Sequence, residues 1–161
     1  MKILGIDPGS RATGYGLVRD GNSCPEVLSC GVISADPAKP LPERLLEIYT
    51  ELIGIIRSCS PDSLAVENSF YGLNVKSLTV MAQVRGVILL AGASCGISIA
   101  EYSPREVKMS VVGSGSASKD QVRSMVIATT SCKQEIESLD AADGIAVALC
   151  HLGRKAVPVN E

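Results

Sequence analysis

Apolar positions fall into three short runs over the first part of the chain. Lys2–Asp7 stops at the turn signal Asp7-Pro8-Gly9-Ser10, and Ala12–Arg19, with glycines at 14 and 16, stops at Asp20-Gly21-Asn22. Val27–Ser34 lies between Pro25 and Pro37. Three strands joined by short turns predict an antiparallel meander. The period then changes. Leu45, Leu46, Ile48, Tyr49, Leu52, Ile53 and Ile56 recur at three and four residues, which predicts a helix over Leu41–Cys59. Pro42 and Glu43 suit its first turn, and Ser60-Pro61 ends it.

Ser63–Val66 reads as a brief strand leading to Glu67, and Asn74–Gly92 as a second helix. That helix is apolar nearly all round after Val80, so it is expected to be buried on two sides, one of them available to another subunit. Ile97–Tyr102 is a fifth strand and Pro104–Val112 a short helix. A small-residue loop from Gly113 to Ser118 precedes a helix over Lys119–Thr130, opened by a Ser118/Gln121 capping box. Leu139–Leu152 is the last helix, with a frayed tail expected from Gly153. The expected fold is α/β, a mixed five-stranded sheet of three antiparallel then two parallel strands, flanked by helices. Its 161 residues fit one domain. That domain is assigned to residues 1–153, with 154–161 a flexible tail.

Composition excludes several classes. Hydrophobic residues at 46% and charged residues at 20% belong to a chain that builds a core, not to a disordered one. Asp7 interrupts the first apolar run too early for a signal peptide. The longest uncharged stretch, between Arg85 and Glu101, is shorter than the ~20 residues of a membrane span. A cytoplasmic protein with no membrane partner is expected. Cys24, Cys30, Cys59, Cys95, Cys132 and Cys150 form no C-x-x-C pair and read as reduced thiols. His151 is the only histidine, which argues against a zinc site or a histidine-based triad.

The formal net charge of −2 hides a segregation: residues 71–133 carry +4, while the segments on either side carry −3 each. A cationic strip between acidic ends suits a polyanion bound beside carboxylates, although a solvated surface would give the same pattern. Asp7 and Glu67 each close an apolar strand. If those strands are parallel neighbours, both carboxylates emerge at one sheet edge, where α/β proteins place ligands. Asp140 and Asp143, three apart at a helix start, share one face. Four converging carboxylates would repel unless cations lay between them, and hard oxygen donors select Mg²⁺ or Mn²⁺. Two such ions about 4 Å apart suit phosphodiester hydrolysis. Taken singly, each acid has a plainer reading: Asp7 starts a turn, Glu67 is an exposed strand end, and Asp140 and Asp143 offset a helix dipole.

The segments Gly5-Ile6-Asp7-Pro8-Gly9-Ser10, Thr13-Gly14-Tyr15-Gly16, Ala65-Val66-Glu67-Asn68-Ser69-Phe70 and Asp140-Ala141-Ala142-Asp143 resemble the RuvC family of Holliday junction resolvases. Gln83-Val84-Arg85-Gly86 and the stretch from Val107-Lys108 to Ser118-Lys119 resemble it as well. The resemblance implies an RNase H-like fold and a homodimer that cuts two opposed strands of a four-way DNA junction. It also implies 5′-phosphate and 3′-hydroxyl ends, and a branch-migration motor complex as partner. It makes Asp7, Glu67, Asp140 and Asp143 the metal-binding tetrad, with two Mg²⁺ expected and Mn²⁺ able to substitute.

Lys119 stands in a first helical turn, where a cation opposes the helix dipole, and such a local cost invites a functional explanation. By resemblance Lys119 and Lys108 lie near the cleaved strand, and Phe70, with Tyr71 beside it, suits stacking on an unpaired base. Lys76, Arg85 and Arg105 complete the expected DNA contacts, though either arginine could instead pair with a surface acid. Other readings remain: an RNase H-like nuclease acting on RNA or RNA–DNA hybrids, and a junction-binding protein without activity. A phosphotransferase of the sugar kinase and actin type also opens with Gly-Ile-Asp-x-Gly, but it needs a second lobe for which this chain has no room.

Overall fold

The computed structural model describes residues 1–68, 74–132 and 135–155. Its strands are β1 (Lys2–Asp7), β2 (Ala12–Arg19), β3 (Glu26–Ser34), β4 (Ser63–Glu67), β5 (Ser98–Tyr102) and β6 (Ser131–Cys132). Its helices are α1 (Leu41–Cys59), α2 (Val75–Ser94), α3 (Pro104–Val112), α4 (Lys119–Thr129) and α5 (Leu139–Lys155). The sheet order is β5-β4-β1-β2-β3-β6. β1, β2 and β3 form the expected antiparallel meander, and β4 and β5 add parallel strands beside β1. Among the described residues there are six strands, not five. β6 pairs with the start of β3 over only two residues, too few to leave a period in the sequence.

Alternation along the strands divides the molecule into two layers. Leu4 and Ile6 of β1 and Leu64 and Val66 of β4 pack with Ile48, Leu52 and Ile56 of α1 and Val84, Ile88 and Ala91 of α2. Ile3 and Ala65 point the other way, into a core shared with α3, α4 and α5. With a period of two, Asp7 falls on the face of Ile3 and Gly5, and Glu67 on the face of Ser63 and Ala65. The strand pattern therefore aims both carboxylates at the α5 layer.

Four glycines let α5 lie against the sheet. A methyl at Gly5 would collide with the Gly144 carbonyl oxygen and the Ala148 amide, and one at Gly14 with the Asp140 carbonyl. At Gly16 it would sit 2.7 Å from the Ile145 Cα, and at Gly144 2.7 Å from the Tyr15 backbone. Farther along α5, buried His151 bridges the Ser63 hydroxyl at 3.0 Å and the Tyr102 hydroxyl at 2.6 Å, tying the helix to β4 and β5.

α5 also outruns the sequence reading, which ended it at Leu152 before a frayed tail. The helix continues through Gly153 to Lys155. Arg154 pairs with Glu106 of α3 at 2.8 Å and lies 5.1 Å from the Tyr102 ring centre, contacts that hold the last turn in place. α2 is likewise long and apolar enough to cross a membrane, which the count of uncharged residues had excluded. Arg85 interrupts it and bonds Glu101 on β5 through Nε at 2.6 Å, and Val84, Ile88, Ala91 and Gly92 are buried on the sheet. Here the helix is a layer of the α/β fold, and a charged residue at its middle would be costly in lipid.

Gly5→Ala is expected to destabilise the protein by about 1–3 kcal/mol or more, because the methyl meets helix backbone that cannot rotate away. Gly54→Ala, on exposed α1 with open space around its Cβ, is expected to stabilise by roughly 0.5–1 kcal/mol. Chemical-denaturation midpoints measure both.

Candidate active site

Asp7 is the last residue of β1, and the turn after it is tightly determined. The buried Thr13 hydroxyl donates to the Gly9 carbonyl at 2.8 Å and accepts from the Gly9 amide at 3.2 Å. Arg44, from the first turn of α1, donates to the Ser10 carbonyl. Ile6 pairs with Val66 in the parallel ladder, so Asp7 and Glu67 end adjacent strands at the same level. Asp140 and Asp143 come from the first turns of α5, whose Ala141 amide donates to the Ser138 hydroxyl at 3.4 Å.

These parts converge. Carboxylate oxygens of Asp7, Asp140 and Asp143 lie within 4.8 Å of one another, and Glu67 lines the same cleft of about 720 Å³. Burial, then the neighbouring charges of Glu67 and Asp143, hold the Asp7 carboxyl well above its ordinary value of 3.8, with Lys119 opposing them. Lys119, the first residue of α4, donates to Asp143 at 2.5 Å and lies 4.0 Å from Asp140. Burial alone pulls the Lys119 ammonium down, but the Asp143 bond and the charges of Asp143, Asp7 and Asp140 outweigh it and raise its pKa. The donors are all hard carboxylate oxygens crowded into mutual repulsion, a set that fits Mg²⁺ or Mn²⁺ and not a zinc site.

Of the expected DNA contacts, Lys76, Lys108 and Lys119 line this cleft. Arg85 lies outside the cleft lining and pairs with Glu101, the surface pairing that the sequence left open. Arg105 lines a separate recess with Glu106, Met109 and Arg154. Phe70 and Tyr71 lie outside the described residues. The sequence reading missed Arg11 and Arg44, which line the cleft beside the Asp7 turn. Both fall in the acidic first part of the chain, where a count of charge conceals them. The signal that singled out Lys119, a cation in a first helical turn, was present at Arg44 too.

The sequence model of the crossover junction endodeoxyribonuclease RuvC family matches residues 3–151. The chain belongs to the RuvC family. The RuvC protein of Syntrophomonas wolfei is 45% identical over 152 residues, covering 94% of this chain and 88% of its own length. That of Chlorobium phaeovibrioides is 46% identical over 155 residues, covering 96% and 82%. Among solved structures, Thermus thermophilus RuvC in complex with a Holliday junction substrate superimposes with a TM-score of 0.88 at 28% identity, covering 96% of this chain and 94% of that one. The yeast mitochondrial Holliday junction resolvase, at 13% identity and a TM-score of 0.68 over 96% of this chain and 80% of that one, shares the fold. The architecture is RNase H-like, as the RuvC resemblance implied.

The raised Asp7 carboxyl gives a signed expectation. Between its ordinary 3.8 and its higher value in the fold, the folded protein keeps a proton that the unfolded chain has released. Asp7 thus makes stability fall as pH rises through that window. With chelator present, Asp7→Asn is expected to remove this contribution, so the stability gained over wild type grows with pH across it. Thermal midpoints of both proteins over a pH series measure the difference.

Proposed function

We propose that this chain resolves four-way DNA junctions as a homodimer, each copy nicking one of two opposed strands by Mg²⁺-dependent hydrolysis to leave 5′-phosphate and 3′-hydroxyl ends. What carries the reading is the gathering of Asp7, Asp140 and Asp143, with Glu67 and Lys119, into one cleft in a chain of the RuvC family. Asp7, Glu67, Asp140 and Asp143 would hold two ions, which when bound supply an activated water and charge stabilisation at the leaving oxygen. Lys119 and Lys108 bind the phosphate and offset charge that builds on it during attack. Lys76 holds backbone phosphate at the mouth of the cleft, Phe70 and Tyr71 stack on bases opened at the junction, and Arg85 and Arg105 bind arms outside the cleft. In recombination and repair the substrate reaches this site through a branch-migration motor, in the cytoplasm.

The homodimer assignment draws on α2. Beyond its buried side, Leu90 is 58% exposed and Ala82, Gly86 and Ala93 are exposed at helical spacing around it. A Cβ at Gly86 would meet nothing within 4 Å, so a second helix could approach closely. Apolar and small residues on an outward face suit a self-complementary two-fold contact.

Asp7→Asn is expected to lower nicking of a synthetic mobile junction by roughly 100-fold or more while junction binding in chelator is kept. Wild-type rates in Asp7→Asn would refute the metal-centred reading, and preference for an RNA–DNA hybrid over the junction would favour the other RNase H-like activity. No nicking by the wild type in Mg²⁺ would leave a junction-binding module. Leu90→Asp is expected to turn the dimer into a folded monomer in sedimentation equilibrium, because it places a charge in the apolar contact.

A further inference from the structure

Cations border the cleft from both layers of the fold. Lys108 and Lys119 belong to α3 and α4 on one side of the sheet. Arg11, Arg44 and Lys76 belong to the turn after Asp7 and to the starts of α1 and α2, on the other side. Among the described residues no carboxylate pairs with Arg11, Arg44, Lys76 or Lys108. Arg19, Lys39, Arg85 and Arg154 each have such a partner. Lys2, Arg57, Arg105 and Arg123 also lack a carboxylate partner among these residues but lie away from the cleft, whereas the four share its lining with the acidic residues.

The placement of Lys76 is locally unfavourable. It stands in the first turn of α2, where the exposed amide ends already carry partial positive charge, whereas Arg44 follows Glu43, an acid that offsets the same end of α1. No acidic residue in the first turn of α2 offsets Lys76. Arg44 gives one nitrogen to the Ser10 carbonyl, while its buried Nε has no partner among the described residues. A guanidinium has five N–H donors in a planar fork that matches phosphate oxygens, so this group is anchored at one edge with donors to spare. Arg11 is exposed four residues after Asp7 on a turn pinned by Thr13. All three line the same cleft as the carboxylates.

We propose that Arg11, Arg44 and Lys76 form a second phosphate subsite, which binds backbone phosphates flanking the one that is cut, on the same strand. It rests on the reading of the cleft as a junction nuclease, and it assigns Arg11 and Arg44 to substrate binding. The strand enters between the two layers. The α1–α2 wall holds the uncut phosphates, and the α3–α4 wall holds the scissile one over the carboxylates. Because a diester linkage one nucleotide out of place puts the wrong phosphorus at the cup, such a subsite also sets the register of cutting.

The test is fluorescence-anisotropy binding of a synthetic four-way junction, in chelator and over a salt series. Arg11→Gln is expected to weaken binding roughly tenfold and to reduce the salt slope by about one. Arg44→Gln should do the same, with its thermal midpoint recorded because it also loses the Ser10 bond. On a junction carrying neutral methylphosphonates at the linkages flanking the cut, Arg11→Gln should bind as wild type does. Unchanged affinity and salt slope for Arg11→Gln would overturn the proposal. So would a loss that persists in full on the methylphosphonate junction, since the arginine would then act elsewhere. Nicking of the unmodified junction by wild type with Mg²⁺ is scored separately, so failure of the nuclease reading is distinguishable from failure of the subsite.

Discussion

The backbone of α5 touches β1 and β2 directly at four glycines, and the rest of the site depends on that contact. Gly5, Gly14 and Gly16 on the strands and Gly144 on the helix supply the missing Cβ atoms. The consequence is chemical as well as mechanical. At ordinary helix-on-sheet spacing, Asp140 and Asp143 would stand too far from Asp7 for one cation to touch all three. With the helix lowered, their oxygens come within 4.8 Å. His151 at the other end of α5 keeps the helix from pivoting, through its hydroxyl partners on β4 and β5.

That proximity has an electrostatic cost, which the fold contains without removing. Asp7 is held above its ordinary range by burial and by its acidic neighbours. Lys119 offsets part of the repulsion from a helix terminus that itself disfavours a cation. Crowding carboxylates in this way costs stability, and the excess negative field is of the sign that favours a divalent cation. The scaffold carries the strain because the sheet centre is conventional. Ile3, Leu4, Ile6, Leu64 and Val66 are fully buried on its two faces.

The two-layer design also explains why the cleft can take a strand of nucleic acid. Helices from both faces start at the same sheet edge, so their positive ends and first-turn cations surround the carboxylates. Negative charge is confined to the floor and positive charge to the walls. A polyanion is attracted overall, and only the segment that reaches the floor meets the acidic residues.

Much of this was legible in the chain. Period-two and period-3.6 patterns fixed β1, β2, α1 and α3 at their observed ends, because each is bounded by turn residues or a proline start. The Ser118/Gln121 box set the start of α4. The family motifs named the carboxylates, and strand alternation is enough to put Asp7 and Glu67 on one face. Local rules failed where a distant contact decided the outcome. α5 passes Gly153 because Glu106 and Tyr102 receive Arg154, and β6 exists because the edge of β3 accepts two residues. Likewise Arg11 and Arg44 came to the cleft from the acidic first part of the chain. A sequence states which residues are charged and on which face of an element they lie. Which charges meet depends on how closely two backbones approach, and that was set by four glycines far apart in the chain.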